Sequence, residues 1–220
     1  MFYEPAVQTS GLPHSPFTAC CVPRPLGWIS TVSIAGVHNL APFANFQNVT
    51  FDPPTVLFSV CGSPDKDTLV NAVETGEFVW NMATYAQRGH VARSAVRYPP
   101  DVDEFEAAGI DYLPARVVRP RRVAASPVHF ECRTQHTVKI QGNIPESMAT
   151  IVIGQVIGIH IRDEVLTDDG RIDLLSIKPL ARLGYLDYTT IDRLFEVEPE
   201  LGGLFHNKEV NHGNGVKPSA

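Results

Sequence analysis

Residues 27–62 hold three successive runs, GWISTVSIAG, HNLAPFANFQNVTF and PTVLFSVCG, each rich in β-branched or aromatic side chains and bounded by Gly, Asn or Pro. Such side chains suit a pleated, half-buried surface, and the bounding residues supply turns. Strands this close together in sequence predict an antiparallel meander or a barrel.

Only short helical patterns interrupt the strands. In DTLVNAVETG, Leu69, Val70, Ala72 and Val73 share one helical face, and Gly76 stands where a glycine closes a helix. EFVWNMA reads as a strand, and YAQRGHVARSAVRY as a helix stopped by Pro99 and Pro100. Residues 99–114 read as an acidic surface excursion with one helical turn and solvated carboxylates. Strand character returns in 115–140 and in TIVIGQVIGIHIRDEVL, whose apolar run suits the middle of a closed sheet. This order argues against a doubly wound parallel sheet, in which strand and helix alternate. The expected class is mainly β: a Greek-key or split β-barrel with peripheral helices.

The 220 residues suit one domain at 17–190, flanked by an N-terminal extension at 1–16 and a polar, Gly-rich tail at 191–220 that is too poor in apolar residues to form its own core. With 18 Lys and Arg against 24 Asp and Glu, a net charge of −6 offers no basic field for nucleic acid or an anionic membrane. Four cysteines without a CxxC pair suit reduced thiols in a cytoplasm. The N-terminus has no signal-peptide pattern, and no run matches the ~18 apolar residues of a membrane span. A soluble, cytoplasmic protein is expected.

Two segments carry the chemistry. In GSPDKDT, a helix starting near Asp65 to Asp67 would present free first-turn N–H groups and the positive end of its dipole, with Lys66 and Thr68 as further donors for an anion. The alternative is that Ser63, Asp65 or Asp67 caps the helix while Lys66 stays in water. In the second segment, Ser30 and Thr31 lie within an apolar strand, and Asn39, Asn45, Gln47 and Asn48 follow at high density. Hydroxyls and amides are what the alternating carbonyl and N–H edge of a fused heterocycle requires, although turn and edge-strand polarity would also explain them.

Other chemistries fare less well. His129 and Glu131 share a strand face opposite Cys132, with His136 and His160 elsewhere, but two ligands do not make a metal site; the pair reads as hydrogen-bonded at the barrel rim, and no metal is expected. There is no G-x-S-x-G elbow, and Cys61 has no base identifiable in sequence. A GxGxxG dinucleotide fingerprint is also missing.

The ordered blocks RPLGWIST, NLAPFANFQNVTFDPP, KDTLVNAVETGEFVWN, SPVHFECR and TIVIGQVIGIHI resemble the flavin reductase-like, FMN-binding split-barrel family over residues 17–188. The resemblance implies FMN as cofactor, NADH or NADPH as electron donor and a homodimer with flavin near the subunit interface. It nominates Ser30, Thr31, Val32, Asn45, Phe46 and Gln47 for the isoalloxazine and ribityl chain. Lys66 and Thr68 fall to the phosphate, with Ser63 as a loop donor and Cys61 lining the pocket. His129 is a candidate at the nicotinamide; RPRR reads most simply as a solvated basic strand end, with an arginine there as an alternative contact for a pyridine-nucleotide phosphate.

The implied activity is hydride transfer from NAD(P)H to flavin, with reduced flavin passed to a monooxygenase partner or kept bound. The alternatives are an FMN-binding electron carrier without efficient NAD(P)H turnover and a barrel that has lost its ligand. The family pattern often has Ser where Ala44 stands, and the HNKEVNHGNG tail matches no family segment.

Overall fold

The computed structural model describes residues 1–5, 7–144 and 147–197; most of the expected tail, including HNKEVNHGNG, lies outside them. In chain order the elements are α1 (Phe17–Cys20), β1 (Arg24–Pro25), β2 (Gly27–Val32), β3 (His38–Phe43), β4 (Phe46–Phe51), β5 (Pro54–Cys61) and α2 (Asp67–Glu74). Then come β6 (Glu77–Asn81), α3 (Arg88–Arg93), α4 (Glu104–Ala108), β7 (Tyr112–Leu113) and β8 (Arg122–Val123). The chain continues through β9 (Val128–Gln141), β10 (Met148–Ile161), α5 (Leu174–Ile177), β11 (Ala181–Arg182) and β12 (Tyr188–Thr189).

Seven strands make one sheet in the order β3-β2-β6-β9-β10-β5-β4, and every pairing is antiparallel. The run 38–51, expected as a single strand, is two. β3 ends the sheet on one side and β4 on the other, with only Ala44 and Asn45 between them. So short a link joins opposite edges only if the sheet rolls up, which is the split β-barrel.

Packing across the interior follows from that closure. Phe46 of β4 stacks on Trp80 of β6, with ring centroids 5.1 Å apart and planes 4° from parallel. Gly27 of β2 lies so close to β4 that a Cβ there would come 2.9 Å from the Phe46 Cβ. The interior takes alternate residues of β10, Val152 and Val156 among them, together with Ile29, Phe58, Phe78 and the buried Cys132. Burying each such side chain is worth roughly 1.5–3 kcal/mol.

β2 is buried on both faces, because a second apolar layer of Leu26, Trp28, Leu40, Val91, Phe105 and Val123 lies outside it under α3 and α4. α2 closes one side of the barrel with Leu69 and Ala72, and Gly76 follows it at φ +70°, as its position predicted. The rest of the helix's buried face differs from expectation. Thr68 and Asn71 are buried, whereas Val73 is exposed, because the two polar side chains find partners on β3 and β2.

The helix expected over 85–98 shrinks to a single 3₁₀ turn, Tyr85–Gln87, and α3. The Ser94 hydroxyl at its end donates to the Val91 carbonyl and accepts from the Trp28 indole at 2.9 Å. Residues 115–121, expected to have strand character, form a loop over the barrel wall. Glu131 binds three successive backbone N–H groups of that loop, those of Arg116, Val117 and Val118. No helix among the described residues is long and apolar enough to cross a membrane.

Candidate functional site

The α2 segment starts at the end of β5, turns at Gly62 (φ +88°) and enters the helix at Lys66, whose extended backbone makes it the residue before the first turn. No side chain caps this end. Ser63 instead donates to Asp65, and Asp65 pairs with Arg97 at 3.1 Å, so neither plays the capping role that its position allowed. The Lys66 ammonium folds back to donate to the Cys61 carbonyl at 2.8 Å. First-turn N–H groups without a side-chain cap favour an anion.

These groups border a cavity of about 350 Å³. Its floor is β3 at Asn39, Ala41, Pro42 and Phe43, and its walls are Lys66, Asp67 and Thr68 on one side and Ser94, Val96 and Arg97 on the other. Glu104 of α4 completes the lining. A second cavity, about 370 Å³, lies beneath β12 against Tyr85, Arg88, Leu180 and Tyr188, and contains none of the sequence-predicted residues.

The fold brings Lys66 and Thr68 into one cavity, with Ser63 on the approaching turn. Asn45, Cys61 and Lys66 form a neighbouring group, in which the Asn45 amide reaches the Cys61 sulfur at 3.9 Å. Gln47 is exposed and donates to its neighbour Asn48, whereas Phe46 is buried against Trp80. Val32 is buried at the end of β2. Ser30 and Thr31 are both fully buried. The Ser30 hydroxyl donates to the Arg121 carbonyl at 2.6 Å and accepts from Asn81, and Thr31 accepts from Asn71 at 3.2 Å.

Glu104 corrects the expectation that the carboxylates of 99–114 are solvated. It is only 6% exposed, because α4 packs Phe105 and Ala108 into the outer core and carries the preceding side chain inward with them. Its Oε2 accepts from the Leu40 N–H at 2.7 Å. Burial, opposed by that N–H and reinforced by Asp67 and Asp103, pushes its pKa up to about 7. Burial likewise raises Asp67. Asp103 caps α4 and pairs with Arg121 at 2.7 Å.

The pairing expected between His129 and Glu131 is also corrected: the Glu131 carboxylate is bonded to His160 across the β9–β10 register. His129 instead faces the Val123 carbonyl through Nε2 at 2.9 Å, and burial lowers its pKa to about 4. Among the described residues no group of three or more His, Cys, Asp or Glu is placed to hold a metal ion. The arginines of 119–122 are largely committed, Arg119 to Glu77, Arg121 to Asp103 and Arg122 to the Pro114 carbonyl.

Sequence reasoning missed Glu104, Ser94 and Arg97. Asn39 stood out for its amide character, but its partners did not. The only local hint of Glu104 was its place beside Phe105 at the start of an amphipathic turn.

Comparison with known proteins identifies the family. The flavin reductase like domain model matches residues 19–181. An uncharacterized protein of Halalkalibacterium halodurans is 34% identical over 180 residues, 80% of this chain and 86% of the relative. The crystal structure of nitrilotriacetate monooxygenase component B from Bacillus cereus superposes with a TM-score of 0.82 at 27% identity, covering 90% of this chain and 98% of that one. Flavoredoxin of Desulfovibrio vulgaris shares the fold, with a TM-score of 0.71 at 19% identity over 83% of this chain and 94% of that one. The rolled seven-strand sheet and the extent of these matches establish that the chain belongs to the flavin reductase-like family.

Proposed function

We propose that the protein is an FMN-dependent oxidoreductase that accepts hydride from NADH or NADPH, with the flavin phosphate seated at the start of α2. The observation that carries this reading is the convergence of Lys66, Thr68, Arg97 and the uncapped first-turn N–H groups on one cavity. That donor set fits a phosphate: two cations, a hydroxyl and backbone dipoles. Bound there, the flavin would supply the redox chemistry, and the protein's work is to bind, orient and exclude water.

Lys66 would exchange its bond to the Cys61 carbonyl for a charge-assisted bond to phosphate. Asn45 and the exposed Cys61, which neighbour Lys66, and the exposed Gln47 would be the residues to meet the isoalloxazine and ribityl chain. Ser30 and Thr31 contribute from behind by holding β2 against Arg121, Asn81 and Asn71.

A homodimer accords with the β9–β10 hairpin. Residues 135–141 of β9 are exposed throughout, so this arm offers Val138 and Ile140 to a second copy of the chain. Likeness to a monooxygenase component supports a role in delivering reduced flavin to a separate oxygenase.

The absorbance spectrum of the protein purified without added flavin, followed by bleaching with NADH and NADPH, tests the reading. Bound or titratable FMN reduced at steady state supports it. Tight FMN with negligible NAD(P)H turnover would assign an electron carrier, and the lack of any flavin affinity would defeat both.

A further inference from the structure

Thr68, Asn39 and Glu104 form a hydrogen-bonded row leading from the cavity into the protein. Their side chains are 2%, 6% and 6% exposed, so water does not substitute freely for any member. The Asn39 amide sits 2.7 Å from the Thr68 hydroxyl at one end and 3.2 Å from both Glu104 oxygens at the other. Each of its two orientations implies a different set of protons.

With Glu104 ionised, the amide N–H₂ must face the carboxylate, and the amide oxygen accepts from Thr68. The single hydroxyl proton of Thr68 is then consumed inside the protein. When Glu104 carries a proton, the carboxylic acid donates to the amide oxygen and the amide N–H₂ donates to the Thr68 oxygen. The hydroxyl proton is then free to point into the cavity. The Leu40 N–H donates to Oε2 at 2.7 Å, and also lies 3.1 Å from the amide oxygen when that oxygen faces Thr68, so Oε1 is the oxygen that gains or loses the proton.

We propose that Glu104 is a positioning residue that couples phosphate binding at Thr68 to uptake of one proton, through reorientation of the Asn39 amide. This rests on the flavin-phosphate reading above and deepens it. No covalent bond other than O–H changes: the proton comes from solvent, and one donor is turned from Asn39 to the ligand.

Charges of both signs surround Glu104. α2 contributes Lys66 and Asp67, the chain after α3 contributes Arg97, and α4 itself contributes Asp103, already paired with Arg121. His38 on β3 has its pKa lowered by burial and Arg121. The two neighbouring carboxylates, with burial, bring Glu104 to about 7, within the range where proton uptake is readily measured. An arriving phosphate adds negative charge beside the same group and favours its protonation further.

The test is titration calorimetry of the full chain with FMN and with riboflavin between pH 7 and 9, in two buffers of different ionisation enthalpy. This window lies above the second phosphate ionisation, near 6. The expected result is uptake approaching one proton per FMN bound at the upper end. FMN affinity should fall up to about tenfold per pH unit relative to riboflavin.

Glu104→Gln mimics the protonated acid, since its amide donates to Asn39 and its oxygen accepts from Leu40. This variant should bind FMN at pH 9 as tightly as at pH 7. Should it fail to fold, Thr68→Val should give weaker but pH-independent binding. A flat FMN-to-riboflavin ratio in the unmodified protein, or an unchanged slope in Glu104→Gln, overturns the coupling. If FMN still binds and Lys66→Ala still weakens it, only the coupling falls; if FMN binds at no pH, the functional reading falls with it.

Discussion

Glu104 on α4 and Glu131 on β9 are both buried carboxylates, yet their surroundings hold them in opposite conditions. Glu131 accepts from three successive backbone N–H groups and from His160. Burial alone would raise its pKa, but the Arg116 and Val117 N–H groups and His160 outweigh it and hold the value below the ordinary carboxylate range. Glu104 has one backbone N–H, an amide that can face either way, and two acidic neighbours, so burial prevails. The count of fixed donors decides whether a buried carboxylate is a permanent anchor or an exchangeable proton site.

Glu131→Ala tests the anchor most severely. It strands three loop N–H groups, and the expected cost is about 3 kcal/mol or more in urea unfolding, with faster amide exchange at 116–118. A cost below about 1 kcal/mol would mean that the loop is held by other contacts. Lys66→Ala tests which of the two regions receives ligand. FMN affinity should fall about ten- to a hundredfold while riboflavin affinity stays nearly constant, since a charge-assisted bond is worth about 1.5–3 kcal/mol. Equal losses would remove Lys66 from the phosphate.

The pH dependence of stability separates the two acids by sign. Because folding raises the Glu104 pKa, its contribution declines as pH climbs from about 4.5 through about 7 and stays low above that. Folding lowers the Glu131 pKa, so its stabilisation is present above the ordinary carboxylate range and is lost as pH falls through it. Glu104→Gln should therefore raise stability at pH 8 by about 1–2 kcal/mol, with little effect at pH 5, in thermal melts at both values. The smallest effect is that of Thr68→Ala, which should weaken FMN several-fold in fluorescence titrations and leave riboflavin unchanged.

The sequence shows the two carboxylates unequally. Glu131 and His129 stood out through strand alternation, but that pattern named the wrong partner, because the register that sets His160 beside Glu131 is a property of the β9–β10 pairing. Glu104 was hidden in an acidic stretch whose average character is solvated, and its partners are 64 residues away on β3. Lys66 and Thr68 were legible because a helix start has a local signature. The strands were legible for the same reason, save for the break at Ala44 and Asn45, which follows from closure of the sheet, and for 115–121, which Glu131 holds as a loop. Burial of Ser30 and Thr31 on both faces of β2 required the outer layer of α3 and α4 to be seen.

The order of strands also bears on how the chain folds. β2–β3, β4–β5 and β9–β10 are hairpins formed between near neighbours in sequence, whereas β5 meets β10 across a long stretch of chain, in a register that runs from Cys61 with Ala149 to Thr55 with Gln155. Non-local pairing of that kind slows folding, since chain closure precedes the contacts that reward it. The candidate cavity draws on β3, α2 and α4, so it is complete only when segments from separate hairpins have docked. A ligand that binds there recognises the finished barrel and not its parts, and its presence at many times its dissociation constant would hold the native population in place by mass action.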